Sequence, residues 1–137
     1  MNYLELSTAI LLINRQIERQ LSLFLQQKKL PLTLPELNLL LLVGQTATVN
    51  QHTIAQKMLL ADDEITRMVR KLIKLAYLTR EQDIADHRKK LLNLSTNGQK
   101  ILAAVQRELQ DWWQQQPADV VNEELVSKLK WLAHVLK

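Results

Sequence analysis

Apolar residues recur at helical spacing along most of this chain. From Tyr3 to about Lys28, Tyr3, Leu6, Ile10, Ile13, Ile17 and Phe24 step by alternating threes and fours, and only Gln20 breaks the seam. Leu4, Leu11, Leu21 and Leu25 add a second strip, so this helix has to be covered from two directions, by its own chain or by a second subunit. Lys29 to Leu32 is a break stopped by Pro31. Thr33-Leu34-Pro35-Glu36 spells a capping box with proline in the first turn, opening a helix to about Val43 that buries Leu37, Leu40 and Leu41 and ends at Gly44. Asn50 is an N-cap for a short helix, Gln51 to Leu59, with Ile54, Ala55 and Met58 inward.

The segment Ala61 to Ser95 organises the rest. From about Asp62 to Leu75, Ile65, Met68, Val69, Leu72 and Ala76 form an apolar stripe. Arg67, Arg70, Lys71 and Lys74 form a basic stripe roughly opposite. The period then changes, and Tyr77 to Gln82 and Lys89 to Leu94 predict two short strands around a charged tip, Asp83 to Arg88. Short helix, turn, basic helix and basic hairpin is the order of a winged helix-turn-helix. After the hairpin, Ser95 caps a helix with Gly98 in its first turn and Ile101, Leu102, Val105, Leu109 and Trp112 inward, running to about Gln116. Beyond Pro117, Asp119 is the expected cap of a last helix striped by Val121, Leu125, Leu129, Leu132 and Leu136. The predicted fold is mainly α with a small β-hairpin wing. A winged helix-turn-helix at 31–95 stands beside a helical region at 1–30 and 96–137, which becomes a dimerisation region if its apolar faces are covered by a second subunit.

Charge sharpens this picture. Between Arg67 and Lys90 eight Lys or Arg face three acids, Glu81, Asp83 and Asp86, whereas the whole chain of 137 residues is only +4. A basic helix face is most often merely solvated, but a basic helix followed at once by a basic hairpin fits the DNA grooves. The chain has no cysteine, which excludes disulfides, thiolate metal sites and thiol redox switches. His52, His87 and His134 are scattered, and no glycine-rich phosphate loop or His-Glu ligand cluster is present. No catalytic residues, metal or cofactor are therefore expected. No uninterrupted apolar run is longer than that of Leu39 to Val43, which is too short to span a bilayer. Glu5 and the lack of a basic start argue against a signal peptide in Met1 to Ile13, making the cytoplasm the default location.

Residues Leu32 to Gly98 resemble the MarR family of bacterial transcription regulators. The family's motif has counterparts in order at Leu32-Thr33, Ile54-Ala55, Thr66-Arg67, Asp86-His87-Arg88 and Leu94-Ser95-Thr96-Asn97-Gly98, with Arg80 and Asp83 also in place. The resemblance implies a homodimer joined by the first and last two helices, on a pseudo-palindromic operator in double-stranded DNA. It implies a repressor released by a small aromatic or acidic effector, for which no motif places a pocket. It puts Thr66 and Arg67 in the major groove and Arg88 in the minor groove, with Asp86 holding Arg88. Together with the basic residues around them, the expected DNA-binding set is Thr66, Arg67, Arg70, Lys71, Lys74, Asp86, His87, Arg88 and Lys89.

Several positions depart from the family pattern. The recognition helix opens with Ala61, Asp62, Asp63 and Glu64, acids that suit a helix dipole but repel phosphate. Ala76 replaces the glycine before the wing, Ile84 the proline of the wing tip, and His87 the first of two arginines. Arg70-Lys71 stands where Asp-Arg is common. The acids support a rival reading, a winged helix kept as a protein-interaction module after losing DNA binding.

Overall fold

The computed structural model describes residues 1–137. Six helices and three short strands follow in the order α1 (Tyr3–Gln27), α2 (Leu34–Gly44), β1 (Val49–Asn50), α3 (Gln51–Met58), α4 (Asp62–Lys74), β2 (Leu78–Gln82), β3 (Lys90–Leu94), α5 (Thr96–Trp113) and α6 (Glu123–Val135). The winged-helix architecture is present, with an antiparallel sheet of order β1-β3-β2. Val49 and Arg80 flank Leu92 on either side of the central strand. β1 has no signature in the sequence, because two residues carry no periodicity.

The chain forms two compact units, Met1–Val105 and Gln106–Lys137. The expected winged helix at 31–95 lies within the first, which also takes in α1. Only the second half of α1 is buried there, through Leu21, Phe24 and Leu25, while every residue from Met1 to Gln16 is exposed. α2 packs against α1, α3 and β3. More than one of its faces is therefore covered, and Leu39 is fully buried beside Leu37 and Leu40. Leu41, expected in the core, is half-buried instead. α4 contributes Ile65, Val69 and Leu72, all 0 % exposed.

Local sequence fixes the joints. Thr33 and Glu36 form the predicted capping box, with Thr33 N donating to Glu36 Oε1 at 2.8 Å and Glu36 N to Thr33 Oγ1 at 3.3 Å. Asn50 caps α3 through His52 N at 2.9 Å. The turn from α3 to α4 passes through Leu59 at φ 56°, and the turn from α4 to the wing through Ala76 at φ 64°. The second is the left-handed position where a glycine would be free of strain. Both glycines serve close packing. A Cβ on Gly98 would lie 2.2 Å from the Tyr77 carbonyl oxygen, and one on Gly44 would lie 2.5 Å from Leu102 Cδ2. Ser95 accepts from Gly98 N at 3.0 Å, so α5 starts against the base of the wing.

In the second unit, regular α5 stops at Trp113, and Gln115 and Gln116 close a tighter turn onto Trp112 and Trp113. The cap of α6 is Asn122, which accepts from Leu125 N at 3.2 Å. Asp119 lies too early for that role, since the turn after Pro117 already takes Val120 N and Val121 N. None of the residues of α6 is buried.

Candidate nucleic-acid interface

At about 100° per residue, the buried line of α4 leaves an opposite pole of Asp63, Arg67, Arg70 and Lys74, all exposed. The three cations on this pole have no ion-pair partner within the chain. The two flanks of the helix are tied to its neighbours.

Toward α3, Thr66 Oγ1 donates to Asp62 O at 2.8 Å and accepts from Gln51 Nε2 at 3.2 Å. Asp62 Oδ1 lies 2.9 Å from His52 Nδ1. Toward α2, Lys71 Nζ donates to Glu36 Oε1 at 2.8 Å, while Glu64 reaches back to Ala61 N at 3.3 Å. Burial pushes the Glu36 carboxyl up, but hydrogen bonds from Lys71 and Thr33 and the Lys71 charge outweigh it and hold the group below its ordinary value.

The structure therefore separates residues that the sequence had placed together. Arg67, Arg70 and Lys74 present free charge. Lys71 is turned against α2 and shares its charge with a side chain only 6 % exposed. The Thr66 hydroxyl already has two partners inside the protein.

The wing holds the second cluster. Arg88 donates from Nε to Asp86 Oδ1 at 3.1 Å and from Nη2 to Asp86 Oδ2 at 3.3 Å, and its backbone N also donates to Oδ1 at 3.1 Å. This two-toothed grip is the bond expected of Asp86. The side-chain and backbone hydrogen bonds from Arg88 hold the Asp86 carboxyl below its usual range. The tip is built rather than loose. Asp83 Oδ1 accepts from Ala85 N and Asp86 N, and Asp83 N donates to Lys89 O. Arg88 is 91 % exposed, and His87 and Lys89 beside it are also exposed.

Two pairings near the interface had no sequence signal. His52 meets Asp62 across ten residues, and Glu36 meets Lys71 across thirty-five. Gln51 is buried, and its Oε1 has no partner, nor has Nη1 of Arg80 on β2. Pairings this remote have no local pattern.

Fold and exposed basic elements together define a winged helix-turn-helix protein. Residues 32–90 match the sequence model of the MarR family. The same fold is found in apo MarR of E. coli, with a TM-score of 0.71 at 19% identity over 94% of this chain and 93% of that one. Streptococcus pneumoniae FabT, solved in complex with DNA, superposes with a TM-score of 0.74 at 16% identity, covering 98% and 94%. A mutant MarR of E. coli complexed with operator DNA gives 0.66 at 21% identity, covering 95% and 91%. No curated protein sequence matches the chain. The winged-helix segment thus carries the sequence pattern of the MarR family, and the fold of MarR proteins is shared over nearly the whole length of the chain.

Proposed function

We propose that this protein is a dimeric, sequence-specific DNA-binding regulator of transcription, a repressor released by a small aromatic or acidic effector. The observation that carries the DNA reading is the pair of exposed basic elements. Arg67, Arg70 and Lys74 stand on the outward pole of α4, and Arg88 is braced by Asp86 at the wing tip. α4 enters the major groove, where Arg67 and Arg70 reach base edges. Arg88 enters the adjacent minor groove, where it responds to width and potential more than to base identity. His87 and Lys89 flank it on the backbone side, whereas Lys71 and Thr66 serve mainly to fix α4 in place.

The rival reading, an interaction module without DNA binding, draws on the acids that open α4. Two of the three have partners within the protein: Asp62 faces His52, and Glu64 caps Ala61. Only Asp63 shares the outward pole. The dimer is supported by exposed apolar side chains on two helices. Leu4, Ile10, Leu11, Leu12 and Ile13 on α1 are 47–77 % exposed, and Leu129, Trp131 and Leu132 on α6 are 40–67 % exposed. A second copy would remove such surfaces from water. The FabT and MarR complexes with DNA make duplex DNA the reasonable ligand to test.

The test is a salt titration on an operator, taken from selection on random duplexes, and on its scrambled version. Arg88→Ala should weaken both alike and reduce the salt slope by about one ion. Arg67→Ala should cost more on the operator, by about 1–3 kcal/mol. Absence of binding to any duplex at low salt would favour the interaction module.

A further inference from the structure

The major and minor grooves occupied by α4 and the wing are separated by one sugar-phosphate backbone. Whatever lies between the two elements on the protein must face that backbone. In this chain the space between them is a cleft of about 310 Å³ lined by Asn50, His52, Asp62, Thr66, Arg88 and Lys90.

Asp62 is the one acid there, and in contact with phosphate it would be repulsive. His52 meets it, with Nδ1 2.9 Å from Oδ1 and both side chains more than half exposed. An ionised carboxylate can only accept, so Nδ1 carries a hydrogen and the state of the ring is decided at Nε2. In the neutral ring Nε2 is a bare acceptor, which a phosphate oxygen cannot satisfy. In the imidazolium it is a donor, and the added charge offsets Asp62. The other charged groups on the cleft are Arg88 and Lys90 from the wing side, and both favour an anion there.

We propose that His52, oriented by Asp62, is a phosphate-contacting residue that acts in its protonated form, so that DNA binding takes up a proton at this site. The inference rests on the DNA-binding reading above. Histidine ordinarily titrates between about pH 5 and 8, and phosphate contact favours the charged ring. Affinity is then greatest below that range and falls as pH rises through it, by up to about tenfold per pH unit for each subunit.

The experiment uses the full chain and a fluorescently labelled random-sequence duplex at low salt, where phosphate contacts dominate. Wild type should bind about tenfold or more weakly at about pH 8 than at about pH 6. His52→Asn keeps a donor for Asp62 but removes Nε2, and its affinity should be nearly flat across that range. His87 at the wing tip is the other histidine beside the interface, so both profiles are also measured in a His87→Asn background, where a slope should remain and His52→Asn should remove it. A flat wild-type profile, a slope that survives His52→Asn in that background, or a slope abolished by His87→Asn would overturn the assignment. No binding at either pH would instead remove the DNA reading itself, and the inference with it.

Discussion

Lys71→Met separates a structural lysine from a DNA-contacting one. Lys71 Nζ donates to Glu36 Oε1 at 2.8 Å, and Glu36 is 6 % exposed while Lys71 is 46 % exposed. Exposed pairs contribute about 0.2–1 kcal/mol, and removing one partner of a fully buried pair costs about 3–5 kcal/mol. One end of this pair is wet and the other dry. Glu36 also keeps its bonds to Thr33 after the lysine is gone. The expected loss for Lys71→Met, which preserves the packing of the stem, is therefore about 2 kcal/mol. Glu36→Gln retains an acceptor for Thr33 and should cost about 1 kcal/mol. The double variant should cost less than the sum, because removing both charges leaves no buried carboxylate unpaired.

Urea unfolding at one fixed protein concentration measures all three. The Glu36 carboxyl is held below its ordinary value of 4.5, so its contribution is present above that pH. It is lost as pH falls through the lower folded value. The gap between wild type and Lys71→Met should accordingly close in acid. A loss under about 0.5 kcal/mol, within the range of an ordinary surface substitution, would refute the structural role. It would do so most clearly if DNA binding lost about one ion of salt dependence at the same time.

Gly98→Ala should destabilise the fold by about 1–3 kcal/mol, although glycine to alanine in an open helix gains up to about 1 kcal/mol; the sign in thermal unfolding tests the contact with the Tyr77 carbonyl. Ala76→Gly should stabilise by about 1 kcal/mol, since it relieves the left-handed backbone at an exposed turn; a loss would mean that Ala76 has packing worth more than its strain. Leu12→Asp on the exposed half of α1 should shift sedimentation of the proposed dimer toward monomer without disturbing the buried half of that helix; an unchanged sedimentation profile would count against a subunit contact through this face.

The sequence by itself determined the helices with strong periodicity and the joints made by neighbours in the chain. α1, α4, the capping box at Thr33, the Asn50 cap and the Ser95 start of α5 all rest on interactions spanning a few residues, and their signals are local. It also placed the basic helix directly before the basic hairpin and put Asp86 beside Arg88. It could not supply β1, which exists only because Val49 and Asn50 find β3 some forty residues later. It placed the cap of α6 at Asp119, because the turn after Pro117 consumes three more residues before Asn122 can act. Within the basic stripe, spacing made Arg67, Arg70, Lys71 and Lys74 equivalent. Tertiary packing divides them, because α2 presents a nearly buried Glu36 to one flank of α4, α3 presents Gln51 and His52 to the other, and only the outward pole keeps its charge free.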